Sequence, residues 1–223
     1  MSKKKFIILL RDPVSRHYSE YQRNLRICFR VIDGDKELDK DSGARTSEEK
    51  IERANLRCKI VLKPNSKALK RENALSFAEW TASEFGESEI RRGRYLSDIE
   101  RWLTIIDRKH LFIMNFQSVI TNTTDVITRL SSFLEIDAKV FYNNPKNPKN
   151  IILPAPPPSN SYVEWAPGYM DCPTFDKLTR LYERENAGLI KFINNAPNKP
   201  KDEPFFPPFI SIRSKCVNPS QKE

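Results

Sequence analysis

Three side chains near the start of the chain, Arg11, Ser15 and Ser19, have the types and spacing to hold a phosphate. The serines are four residues apart, which on a helix puts them on one face. Arg11 closes the apolar run KFIILL and is followed at once by Asp12 and Pro13. An aspartate oxygen suits a helix N-cap and proline carries the backbone angle of a first helical residue, so a helix should begin here. A guanidinium leaving a strand beneath that N-terminus could give a dianion a bidentate contact, a hydroxyl and the positive end of the helix dipole. A plainer role fits as well: Asp12 and Pro13 start the helix, and Arg11 pairs with a surface carboxylate.

The elements that must position these residues can be read from periodicity. Residues 5–10 are continuously apolar after the leading lysine, as in a strand buried on both faces of a parallel sheet. Val14, Tyr18, Tyr21, Leu25, Phe29 and Ile32 then recur at steps of three and four, giving one apolar helical face over 13–32, with Arg16, Arg23, Arg26 and Arg30 off it. Residues 33–49 are polar and read as an exposed loop. Their SGARTS segment lacks the preceding strand and the Gly-Lys-Ser/Thr ending of a phosphate loop. Capping-box pairs at Thr46 with Glu49 and at Ser76 with Glu79 predict helices over about 47–58 and 77–85. Tyr95, Ile99, Trp102, Leu103 and Ile106 predict an amphipathic helix, 111–114 a second buried strand, and Val126, Ile127, Leu130, Phe133 and Leu134 a further helix. The order strand, helices, strand, helix is that of an α/β fold with a parallel sheet. Residues 143–160 are rich in proline and asparagine and read as a loop. A last helix opens at Pro173 and runs to about 194, and 196–223 has the composition of a polar, proline-rich tail. One domain, 1–195, is expected.

Composition narrows the partners. A formal charge of +9 favours an anionic one. Cys28, Cys58, Cys172 and Cys216 are scattered without a C-x-x-C, and there are only two histidines, so no metal site is expected. The cysteines could pair in an oxidising lumen or stay reduced. The apolar run at the start is too short for a signal sequence or a membrane span, which leaves the chain, as written, cytoplasmic. Asn122-Thr123-Thr124 is a sequon that would take a glycan only in a secretory compartment.

An apolar strand followed by R-D-P-V-x-R-x-Y-S-x-Y resembles the 3′-phosphate-binding motif of sulfotransferases that use 3′-phosphoadenosine 5′-phosphosulfate, above all the heparan-sulfate type. Arg11, Asp12, Pro13, Val14, Arg16, Tyr18, Ser19 and Tyr21 carry it. Gly93, Tyr95, Ile99, Trp102-Leu103, the strand LFIMNF and Phe133-Leu134 are similar to a second succession of that family. The helix from Phe175 echoes its closing helix. The resemblance implies a P-loop-like, three-layer α/β fold with a parallel sheet, and transfer of a sulfuryl group to a hydroxyl or amine of a carbohydrate. It implies 3′-phosphoadenosine 5′-phosphosulfate as co-substrate, Arg11 and Ser19 on its 3′-phosphate, and a Golgi-lumenal home reached through an amino-terminal anchor. The family's first strand and its Lys-x-Gly-Thr-Thr-like 5′-phosphosulfate loop have no counterpart here, so an amino-terminally incomplete domain is expected and the catalytic residues stay unassigned. Pro167-Gly168-Tyr169 stands near the place of a late Lys-Gly-Arg loop, Gln117 stands where relatives often have glutamate, and Glu135 replaces a glycine.

Other residues have competing readings. Arg91, Arg92 and Arg94 could meet a sulfated or uronate polymer, or form a solvated helix start. On the first reading, the chain could be a non-catalytic module that binds an acidic glycan. His17 reads as solvent-facing and His110 as a turn residue. Trp80, Trp102 and Trp165 could stack on sugars, with Trp102 better placed for the core. Glu79 and Glu84 could be acid/base groups, though their spacing does not say so. No aromatic-basic surface motif or reading helix points to nucleic acid.

Overall fold

The computed structural model describes residues 4–34, 47–64, 69–139, 170–210 and 216. SGARTS up to and including Thr46, the 143–160 loop, Trp165 and Pro167-Gly168-Tyr169 lie outside the described residues. The chain divides into two compact units, one made of 1–12, 94–159 and 181–211, the other of 13–93, 160–180 and 212–223.

The first unit holds the sheet. Strand β1 (Phe6–Leu10) pairs in parallel with β2 (Leu111–Asn115), in the register Phe6 to Leu111 through Leu10 to Asn115. The mix of helices with a small parallel sheet is an α/β arrangement, as the periodicity predicts. Every residue of β2 is buried. Phe6, Ile8 and Leu10 of β1 pack toward a core of Leu111, Ile113, Ile99, Leu189, Ile193 and Phe206. Ile7 and Leu9 point the other way and stay 43% and 46% exposed, so among the described residues β1 is covered on one face, not two. Phe112 and Met114 lie on that second face of β2, under Val126 and Phe133 of α7 (Thr123–Leu134). Helix α5 (Tyr95–Leu103) buries Ile99, whereas Trp102 remains 45% exposed with its edge toward Phe6. Trp102 therefore lies at the margin of the core, because the helix stops one residue after it and its face turns outward.

The other edge of β2 is closed by an ion pair. Arg108 and Glu203 are both buried and bonded through the guanidinium and both carboxylate oxygens. The Arg108 Nη1 also donates to the Leu111 carbonyl, and Glu203 Oε2 accepts the Ile113 amide at 2.9 Å. These are the main-chain groups that a third strand would have used. Residues 196–210, whose composition reads as a tail, thus belong to the packed unit. Phe206 is 1% exposed, and its amide donates to Asn194 Oδ1 at 2.8 Å.

The second unit is helical. Helix α1 (Pro13–Ile32) has the limits its cap and apolar face predict, and buries Val14, Tyr21, Leu25 and Phe29. It pairs with α2 (Ser47–Val61), to which a Cys28–Cys58 disulfide binds it. The expected 77–85 helix is two. Ser76 caps α3 (Phe77–Thr81) with a full capping box, and Ser83 accepts the Gly86 amide at 3.2 Å to start α4 (Glu84–Arg92). Gly86 lets α4 lie against α3: a Cβ there would stand 2.1 Å from the Trp80 carbonyl oxygen. Helix α8 (Cys172–Asn195) begins in this unit, where Asp171 caps it and Cys172 is joined to Cys216; its residues from Leu181 on belong to the first. The described cysteines are therefore all paired.

Candidate functional site

Parallel register explains where Arg11 is held. Leu10 pairs with Asn115, so the next residues of the two strands, Arg11 and Phe116, emerge side by side at the carboxyl ends of β1 and β2. That end of a parallel sheet is where α/β proteins take their ligands. Asn115 caps α6 (Phe116–Thr121) by accepting the Gln117 amide at 2.8 Å, which fixes the backbone under Phe116. The Arg11 guanidinium lies 5.2 Å from the Phe116 ring centroid, a cation–π distance. The Tyr95 hydroxyl, from the start of α5, donates to the Arg11 carbonyl at 3.0 Å. Arg11 is thus held at both its backbone and its charged end by residues from two other elements. Tyr95 already stood out in the sequence within Gly93-x-Tyr95. Phe116 did not, because only the register between two strands 100 residues apart brings it to Arg11.

Ser15 and Ser19 lie half-buried on α1, in the other unit. On the same helix Arg16 turns to Glu89, with Nη1 to Oε2 at 2.9 Å and Nη2 to the Glu89 carbonyl at 2.6 Å, binding α1 to α4. His17 is not solvent-facing. It is fully buried against Trp80 and Phe77, with Nε2 3.2 Å from Thr81 Oγ1, and its Nδ1 has no partner among the described residues. Burial, reinforced by the neighbouring Arg16 charge, lowers its pKa to about 4, so the ring is neutral at pH 7. Its neighbours Phe77 and Trp80 come from a helix some sixty residues later, which no local pattern reveals. Tyr21 completes this aromatic cluster. Its hydroxyl donates to the Leu75 carbonyl at 2.6 Å, and burial raises its pKa, with Tyr18 and Glu79 adding to the effect.

The remaining candidates separate clearly. Arg91, Arg92 and Arg94 are exposed, but Arg92 meets Glu89 at 2.6 Å and Arg94 meets Glu185 at 3.3 Å. Two of the three charges are thereby partly spoken for. Trp80 is fully buried and presents no face to a sugar. Glu79 is the reciprocal half of the α3 capping box. The Ser76 amide, then the Ser76 hydroxyl, hold its carboxyl below the usual range, which suits a cap and not a proton acceptor. His110 ends a short 3-10 turn before β2. Among the described residues no group of three or more His, Cys, Asp or Glu could hold a metal ion, and no helix is long and apolar enough to cross a membrane.

At Glu135 the departure from glycine has a structural counterpart. The residue adopts φ 59°, ψ 41° at the end of α7, where the Ile136 amide reaches the Ser131 carbonyl and the Glu135 amide the Ser132 carbonyl. This is the left-handed closure that glycine serves best. Lys5 answers from β1's leading edge, with Nζ 2.6 Å from the Phe133 carbonyl and 2.7 Å from Glu135 Oε1, which lowers the Glu135 pKa.

No curated protein and no solved structure matches the chain. A family model does: residues 1–152 match the one described as Sulfotransferase domain, a stretch that takes in both strands, the Arg11 junction and Tyr95. The chain therefore belongs to the sulfotransferase-domain family, a family of transferases whose chemistry is sulfuryl transfer.

Proposed function

We propose that the chain carries the 3′-phosphate side of a donor site for 3′-phosphoadenosine 5′-phosphosulfate, with Arg11 and Ser19 as the residues that grip the 3′-phosphate. The observation that carries this reading is the fixing of Arg11 at the carboxyl end of the parallel strand pair, its carbonyl tethered by Tyr95 and its guanidinium stacked on Phe116. A guanidinium held in this way loses little freedom when it meets a phosphate, and its fork matches two phosphate oxygens. The full fold is read as P-loop-like and three-layered.

In the reaction, a hydroxyl or amine of a carbohydrate of the heparan-sulfate kind attacks sulfur. The bond from sulfur to the bridging oxygen of the 5′-phosphate breaks, adenosine 3′,5′-bisphosphate leaves, and the acceptor's proton passes to a base. The two disulfides support a lumenal home such as the Golgi, since such bonds persist in oxidising compartments. The non-catalytic, glycan-binding reading is the weaker, because Glu89 and Glu185 already engage Arg92 and Arg94.

The test compares the thermal shift given by adenosine 3′,5′-bisphosphate with that given by AMP. A larger shift for the bisphosphate, abolished in Arg11→Ala, is expected. An equal response to both nucleotides, or none, overturns the 3′-phosphate site.

A further inference from the structure

We infer that Asn122 is an N-glycosylation site, a modified position on the α6–α7 corner. The triplet Asn122-Thr123-Thr124 is the chain's one sequon, for Asn218-Pro219-Ser220 has proline in the barred middle place. The fold presents it. Asn122 and Thr124 are both exposed, and Asn122 breaks the helix with φ −138° and ψ 50°, ending α6 and preceding α7.

An asparagine at the head of a helix ordinarily uses its side-chain oxygen to accept an amide of the first turn. Asn122 makes no such bond. Its main chain joins the helices, the amide donating to the Ser118 carbonyl at 2.9 Å and the carbonyl accepting from the Val126 amide at 3.2 Å. Among the described residues the side-chain amide makes no cap bond at the place where asparagine normally has one. Both strands of β1–β2 and the Arg11 junction lie before α6, so a glycan here departs from the far end of that helix.

The chemistry needs a lipid-linked oligosaccharide diphosphate and the transferase of a secretory compartment. The Asn122 side-chain nitrogen forms a bond to C1 of the terminal N-acetylhexosamine, the C1–O bond to the lipid diphosphate breaks, and the amide gives up one proton. No oxidant or reductant is involved. The inference rests on the lumenal reading, for which the Cys28–Cys58 and Cys172–Cys216 bonds are the independent support.

The experiment expresses the full chain in mammalian cells behind a cleavable secretion signal and examines total cell protein, retained material included, so that a variant that folds poorly is still scored. Gel mobility before and after peptide N-glycosidase is read together with peptide mass spectrometry for conversion of Asn122 to aspartate. A glycosidase-sensitive shift that is lost in Asn122→Gln and in Thr124→Val, and kept in Thr124→Ser, is expected. A chain that shows no shift overturns the site, as does a shift that persists in Asn122→Gln. Thiol alkylation of the same samples separates the two readings: free cysteines in the secreted chain would overturn the lumenal reading, whereas intact disulfides on an unmodified Asn122 would overturn this one alone.

Discussion

Arg11 sits where two strands end together, and its partner ring sets how well it is pre-positioned. Phe116→Leu keeps the apolar bulk and removes the π face, so the guanidinium loses about 0.5–2 kcal/mol of orientation. The preference for adenosine 3′,5′-bisphosphate over AMP should fall roughly 2- to 30-fold in a titration of both nucleotides; an unchanged ratio would mean that the stack does not serve the site. His17 makes a different prediction. Its native pKa of about 4 lies below its ordinary 6.5, so between these values the unfolded chain binds the proton and the native one does not. Stability is therefore fully present above about pH 6.5 and lost as pH falls toward 4, by about 3 kcal/mol in all. His17→Gln, which cannot titrate, should flatten the fall in melting temperature between pH 7 and pH 5. The contrast between these residues shows what was readable. Arg11 declares itself by closing an apolar run before Asp-Pro, whereas the surroundings of His17 are assembled from sequence that is remote from it.

At the scale of elements, helices with local signals were legible and those shaped by neighbours were less so. The apolar steps and Asp-Pro start of α1 predict Pro13–Ile32 to the residue. The split at Ala82 and Ser83 was missed because Ser83 reads as an ordinary polar position until it is seen capping α4. Residues 196–210 misled for the opposite reason: proline-rich composition suggests a tail, but Glu203 finds its buried partner 95 positions earlier. The end of α7 offers a test. Glu135 bears a side chain in left-handed backbone, and the Lys5 pair at its exposed carboxylate returns little, as surface pairs do. Glu135→Gly should therefore raise the melting temperature by a few degrees in calorimetry. A fall would mean that the Lys5 pair outweighs the backbone strain.

For the whole molecule, the disulfides close loops of 30 and 44 residues, each worth roughly 3–4 kcal/mol in the entropy of the unfolded chain. Reduction should accordingly lower the denaturant midpoint, and Cys28→Ala with Cys58→Ala should reproduce part of that loss. If midpoints do not move on reduction, the pairs are not structural.

The Arg108 and Glu203 pair has a bearing on assembly as well as on packing. By occupying the Leu111 carbonyl and the Ile113 amide it leaves the small sheet with one side sealed, while β1 has no second strand neighbour among the described residues. Among the described residues such a sheet has a single open edge, and copies that met β1 to β1 would use it up, ending growth at two. Glu203→Ala should cost about 3–5 kcal/mol by stranding Arg108, and it should also make the sheet divalent. Sedimentation velocity would then show species that lengthen with concentration, where the parent chain shows nothing larger than a dimer. The ion pair is in this sense a stop signal for polymerisation, written in two side chains.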